Sequence, residues 1–153
     1  MTHNNAQKNA YKTAITRTKV SAPLRLLNEN GLLNGRMLDY GCGKGFSADR
    51  LNMDKFDPFY YDDDINGQYD VITCNYVLNV LEHTEQAIVL YKLARYLKPK
   101  GVAYITVRRD VKVDGYTKKG TYQCNVELRL PVVFKQSGFC IYELTKSDIM
   151  KIK

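Results

Sequence analysis

The chain has little of what membranes, secretion or metal sites require. No run of 18 or more apolar residues occurs in its 153 residues, so no segment reads as a membrane-spanning helix. The amino terminus, Met1-Thr2-His3-Asn4-Asn5, lacks the apolar stretch of a signal peptide. Histidine is limited to His3 and His83, and the four cysteines (Cys42, Cys74, Cys124 and Cys140) stand far apart with no C-x-x-C. No zinc signature can be assembled from them, no metal is expected, and the thiols read as reduced and mostly buried. There is no internal repeat and no low-complexity segment. The length fits one domain over residues 10–153, behind a polar, disordered tail at 1–9, and 44% hydrophobic residues are enough for a single core. A soluble, cytoplasmic protein is expected.

Two common nucleotide loops are also missing, since neither G-x-x-x-x-G-K-[ST] nor G-x-G-x-x-G occurs. What stands instead is Asp39-Tyr40-Gly41-Cys42-Gly43-Lys44-Gly45, a D-x-G-x-G-x-G, after the apolar pair Met37-Leu38 and before a helix-like run from Phe46 to Leu51. A strand, a glycine turn and a helix start follow in order, which is how a cofactor loop is built. Gly41 and Gly43, lacking a Cβ, allow positive φ and close approach of backbone to a ligand, and Asp39 sets a carboxylate at the strand's end. That carboxylate would repel a triphosphate and suits a cofactor bearing a positive group.

Leu38 to Gly45 resembles motif I of the class I S-adenosylmethionine (SAM) methyltransferases, and three further segments share the resemblance. In Lys55-Phe56-Asp57-Pro58 the acidic residue closes a second short strand 18 positions after Asp39. A carboxylate there is an acceptor-only group that can face two ribose hydroxyls, with an Asp-Pro turn as the alternative reading. Tyr69 to Val80 reads as a buried strand breaking at Asn75 and resembles the family's fourth strand. Leu97-Lys98-Pro99-Lys100-Gly101 and the run Val102 to Val107 resemble the fifth strand and the turn before it. The resemblance implies an α/β, Rossmann-like sheet, SAM as cofactor, S-adenosylhomocysteine (SAH) as product, and direct displacement in which alignment and water exclusion count for more than a dedicated base. It implies cofactor contacts at Asp39, Tyr40, Gly41, Gly43, Asp57, Pro58 and Asn75, with Asn75 and Tyr76 also facing the acceptor unless Tyr76 is core packing. Asn75-Tyr76-Val77-Leu78 is not the [DNS]-P-P-[YFW] of amino-directed DNA methyltransferases.

Lys12 to Arg17, the glycine loop and Val107-Arg108-Arg109-Asp110 together resemble a narrower group, the methyltransferases associated with DNA phosphorothioation. In that resemblance Thr13 and Arg17 fold over the cofactor; alone, they read as an exposed basic arm. Arg108 and Arg109 leave the fifth strand as two guanidinium groups able to hold a phosphate or carboxylate, or else form an internal pair with Asp110.

The pattern departs from the family after Asp57. Only eleven residues separate it from Tyr69, too few for the usual helix, third strand and helix, so the third strand must be reduced or missing. Adenine contacts would then come from Phe59 to Ile65, by an aromatic stack or an Asp acceptor, unless that segment is merely an acidic surface loop. Before the glycine loop, Ser21 reads as the N-cap of a helix with Pro23 in its first turn, Leu24, Leu26 and Leu27 on its apolar face and Gly31 at its end. Glu85 to Leu97 has helical spacing, and the polar stretch from Arg108 to Gly120 reads as a mobile loop over the site. Residues 121–130 and 139–145 read as a C-terminal antiparallel strand pair turning around Gln136-Ser137-Gly138.

Charge is distributed unevenly around this frame. Residues 1–36 carry six Lys/Arg against one Glu, residues 37–91 three against ten acidic groups, and residues 92–153 fourteen against five. An acidic cofactor core between basic flanks points to an anionic methyl acceptor, nucleic acid first, or to a solvated basic surface. A small-molecule methyltransferase, or a SAM-binding module or partner subunit without catalysis, is the alternative.

Overall fold

A computed structural model of the chain describes residues 10–150, so the tail read at 1–9 lies outside the described residues. Pro23 sits in the first turn of α1 (Ala22–Glu29), where a missing N–H costs nothing, and Leu24 and Leu27 are fully buried on its inner face. The remaining elements are β1 (Met37–Tyr40), α2 (Phe46–Arg50), β2 (Asp54–Phe56), β3 (Tyr69–Asn75), α3 (His83–Tyr96), β4 (Leu97–Arg108), β5 (Gly115–Tyr116), β6 (Tyr122–Gln123), β7 (Val132–Lys135) and β8 (Phe139–Leu144). No helix among the described residues is long and apolar enough to cross a membrane.

Six strands form one sheet in the order β2-β1-β3-β4-β8-β7. The first three pairings are parallel, with Leu38 opposite Ile72 and Ile72 opposite Ala103, and the last two are antiparallel. Alternation along the central strands divides the core. Ile72, Ala103 and Ile105 face the cluster that buries Val89, Leu90 and Leu93 of α3, while Val71 and Tyr104 face the cluster holding Leu24 and Leu27 of α1 and Ala48 of α2. A sheet covered by helices on both faces explains why β3 and β4 read as nearly continuous apolar runs.

The third strand, read as reduced or missing, is missing among the described residues, and β2 is therefore an edge. Asp57 and Tyr61 make a single antiparallel bridge and the chain turns back into β3 without further pairing. The fifth-strand segment differs from its reading in detail. Pairing already begins at Leu97 opposite Tyr69 and resumes with Val102 opposite Val71, so Lys98 to Gly101 form a bulge inside β4 rather than a turn before it. Gly101 is required there, because a Cβ would sit 2.7 Å from the Tyr69 carbonyl oxygen.

The C-terminal antiparallel pair is present, but its first strand is β7, not residues 121–130. Tyr122 and Gln123 pair instead with β5 in a separate two-stranded ribbon, and Cys124, Val126 and Leu130 are buried against the α3-side core without sheet pairing. The Cys124 N–H is satisfied by the Asn79 carbonyl at 2.8 Å. Ser21 occupies the N-cap position of α1 but makes no side-chain capping bond; its N–H donates to Ser47 Oγ at 3.0 Å. All four cysteines are free thiols.

Candidate functional site

The carboxyl ends of β1, β2, β3 and β4 open on one cavity of about 780 Å³. It lies where ligands bind in open parallel sheets, outside the strand ends. The loop from Asp39 into α2 forms its floor. Gly41, Gly43 and Gly45 all have positive φ (83°, 57° and 86°). The Phe56 carbonyl accepts from both Gly41 N–H (2.7 Å) and Cys42 N–H (3.0 Å), which ties the loop to β2. At Gly41 the requirement is steric as well as conformational, since a Cβ there would overlap Val77 Cγ2.

Two carboxylates flank the loop in different states. Asp39 is buried, accepts from Thr73 Oγ1 at 2.9 Å, and is pushed by burial from 3.8 up to about 6, with Arg17 and the Thr73 bond acting in the opposite direction. Asp57 binds backbone: Oδ2 accepts Gly43 N–H at 3.0 Å, and Oδ1 accepts the N–H groups of Phe59 (2.9 Å) and Tyr60 (3.1 Å). A carboxylate offers about four acceptor positions, so roughly one remains for a ligand hydroxyl. The ribose and turn readings of Asp57 are thus compatible, and the same side chain shapes the glycine loop.

At the end of β3, Asn75 Oδ1 accepts from Thr106 Oγ1 at 2.7 Å, which leaves its amide N–H groups to serve the cavity. Tyr76 adopts φ 62°, a left-handed conformation that a bulky residue holds only under constraint, and its N–H is fixed by the Thr106 carbonyl at 2.8 Å. Burial raises the Tyr76 phenol, with Arg17 and Arg108 both close enough to oppose the shift. Burial also pushes Cys42 up to about 12 and raises Cys74, so neither thiol is a ready nucleophile.

Thr13, Arg17, Tyr40, Pro58 and Arg108 join Asp39, Gly41, Gly43, Asp57, Asn75 and Tyr76 in the cavity wall. The arm carrying Thr13 and Arg17 is pinned across the loop by a 2.8 Å bond from Lys44 Nζ to Thr16 Oγ1, and Ala14 Cβ lies 3.3 Å from where a Gly43 Cβ would be. Arg108 and Arg109 are not a pair. Arg108 lines the cavity and holds Asp110 through Nε (2.8 Å) and Nη2 (3.0 Å), whereas Arg109 lies outside it with its guanidinium on the Gln136 carbonyl. Asp62, Asp63 and Asp64 are exposed and absent from the wall, because the Asp57–Tyr61 bridge turns them outward.

The wall also contains groups that the sequence reading did not single out as site residues. Ser21 Oγ is buried without a partner, and Glu85 is buried on α3 facing the cavity. The sequence signal for Glu85 is a carboxylate on the helical stripe of Ile88 and Val89; Ser21 carries none beyond its capping position.

A family model described as a methyltransferase domain matches residues 11–136. The chain belongs to the methyltransferase-domain family. The family is one of methyltransferases, and SAM is the cofactor that the glycine-loop resemblance implies. The glycine floor that a Cβ would block, the buried acidic group and the cavity's size all fit that cofactor. Among solved structures, a TehB-like SAM-dependent methyltransferase from Corynebacterium glutamicum is 17% identical with a TM-score of 0.55, the match covering 92% of this chain and 93% of that one. A DhpI-SAM-HEP complex is 14% identical with a TM-score of 0.55, over 91% and 92% of the two chains. PKMT2 from Rickettsia typhi in complex with AdoHcy is 20% identical with a TM-score of 0.40; that match covers 47% of this chain, which spans only 20% of PKMT2's length. No curated protein matches.

Proposed function

We propose that this methyltransferase acts on a small acidic molecule seated in the same cavity as the cofactor. The observation that carries the reading is the continuity of the cavity: the glycine loop and the Tyr76–Arg108–Gln123 wall bound one space of about 780 Å³. That size lies in the upper part of the range of roughly 300–1,000 Å³ used for drug-sized ligands, so a second small molecule fits beside a bound cofactor. The acidic character rests on two guanidiniums in the cavity wall, Arg17, whose charge also acts on Asp39, and Arg108, which is oriented by Asp110. Whole-length similarity to a fold that binds SAM together with HEP supports a single domain working on a small ligand.

In this reading Asp39, Tyr40, Gly41, Gly43, Asp57 and Pro58 hold the cofactor, with Thr13 and Arg17 closing over it. The sulfonium supplies an electrophilic methyl group. Asn75, Tyr76 and Arg108 would orient the acceptor toward that methyl group, and the cofactor, having supplied it, would depart as SAH. Tyr76, a phenol protonated at neutral pH and raised further by burial, is a wall and hydrogen-bond donor rather than a base, and the acceptor's proton leaves to water. Arg109 supports the β7–β8 turn through the Gly138 and Gln136 carbonyls.

The charge pattern favours one other acceptor. Fourteen Lys/Arg against five acidic residues over 92–153 would suit a nucleic acid lying across the cavity mouth. Incubation with methyl-labelled SAM and separate small-molecule, DNA, RNA and protein fractions distinguishes the two: label in the small-acid fraction is expected, and label confined to DNA or RNA would overturn the first reading.

A further inference from the structure

With no third strand beside it among the described residues, β2 is the edge of the sheet, and the groups that bound the cavity beyond it can be read from the wall. Beyond Asp57 the chain gives Pro58 and Phe59, and the Phe59 ring stacks on Tyr11 with centroids 4.2 Å apart and planes 17° from parallel. One face of α3 lines the same cavity, with Glu85, Ile88, Val89 and Lys92 at helical spacing. These groups offer a mostly apolar slot and an aromatic rim, suited to a flat heteroaromatic ring.

One polar group in the slot has no structural job. Glu85 is only 8% exposed, yet among the described residues it has no hydrogen bond and no ion pair. Among the described residues the one sealed side-chain oxygen without a partner is Ser21 Oγ, so the Glu85 carboxylate opens onto the cavity, where a ligand donor can serve it. Its place in the first turn of α3 makes a negative charge tolerable there. The helix dipole does not explain why the side chain faces the cavity while its neighbours His83, Thr84 and Ala87 are exposed.

We infer that Glu85 accepts a hydrogen bond from the exocyclic amino group of the cofactor's adenine, and so selects a 6-aminopurine over a 6-oxopurine. The inference rests on SAM being the cofactor. A carboxylate is acceptor-only, so it rewards an amino group at that edge and repels a carbonyl oxygen. It takes the role that the sequence reading gave to Asp62, Asp63 or Asp64, which point into solvent.

Calorimetric titration of the full chain with SAH and with its 6-oxo analogue, S-inosylhomocysteine, tests this, using wild type and Glu85→Gln. Wild type should bind the 6-oxo analogue at least about tenfold more weakly than SAH, the size expected for a lost hydrogen bond to a charged group. Glu85→Gln should weaken SAH about tenfold and shrink or invert the preference, because its amide can donate to a 6-oxo group. An unchanged ratio in the variant overturns the inference whatever its absolute affinity. The wild-type comparison stands alone if the variant fails to fold: equal affinity for the two ligands overturns the inference without touching the cofactor. Failure of wild type to bind SAH at all would instead overturn both.

Discussion

If Asp39 must be ionised to hold the cofactor's cationic end, cofactor affinity should follow its titration. Burial pushes Asp39 to about 6. With only the ionised form competent, the apparent Kd scales as 1 + 10^(6−pH), which makes binding about twofold weaker at pH 6 and about elevenfold weaker at pH 5 than on the plateau above pH 7. Stability of the unliganded protein should run the other way. Between 3.8 and about 6 the folded state binds more protons at Asp39 than the unfolded state does, so stability falls as pH rises through that window, by about 3 kcal/mol in full. Calorimetry with SAM from pH 5 to 8 at fixed ionic strength reads the first effect, and thermal melting of unliganded protein reads the second. Asp39→Asn keeps an acceptor for Thr73 and should abolish both slopes. Arg17→Met, by removing a compensating charge, should move the binding inflection above pH 6. Affinity flat from pH 5 to 8 in wild type, or a slope retained in Asp39→Asn, would refute the reasoning.

Gly41→Ala should abolish SAM binding and cost about 1–3 kcal/mol of stability, since it combines a left-handed φ with an overlap on Val77; thermal melting beside Gly138→Ala, which meets open space, checks it. Arg108→Ala should raise the acceptor's KM with SAM affinity nearly unchanged, whereas Arg109→Ala should leave steady-state kinetics alone and lower the melting temperature slightly. The Arg108–Asp110 pair is partly exposed, so its own contribution to stability should stay below about 1 kcal/mol.

That split between adjacent arginines marks where the sequence stops being legible. Asp39 to Gly45 could be read directly because the backbone turn and the chemistry are the same residues, and the short interval from Asp57 to Tyr69 already left room for a reduced third strand at most. Arg108 and Arg109 read as a pair of guanidiniums, but side chains alternate along a strand, and at the end of β4 one reaches the cavity while the other turns to Gln136. The alternation of Tyr122, Cys124, Val126 and Leu128 suggested a strand for the same local reason. Most of those side chains are spent on the core beneath α3, and the place beside β8 goes to Val132–Lys135, four residues with no alternation to reveal them. Glu85 was hidden because a helix's first turn often carries an acid for its own sake.

The least legible part of the site is what holds its acceptor side still. Asn79 is fully buried: its amide donates to the Cys124 carbonyl at 2.8 Å and its Oδ1 accepts the Arg108 N–H at 2.7 Å. Gln86 donates to the Leu78 and Leu81 carbonyls at 3.1 and 2.8 Å and reaches Cys124 Sγ at 3.3 Å. Two amides that look like surface residues in the sequence thus join the turn after β3, the end of β4, the first turns of α3 and the segment leading to β7. All but the last contribute residues to the cavity wall. Displacement at a methyl carbon depends on alignment, so a wall fixed by satisfied buried hydrogen bonds is worth more to this reaction than an additional acid or base. It also accounts for Tyr76. A left-handed tyrosine persists only where its surroundings leave no alternative, and the Thr106 carbonyl on one side and the Asn79-anchored turn on the other supply that constraint.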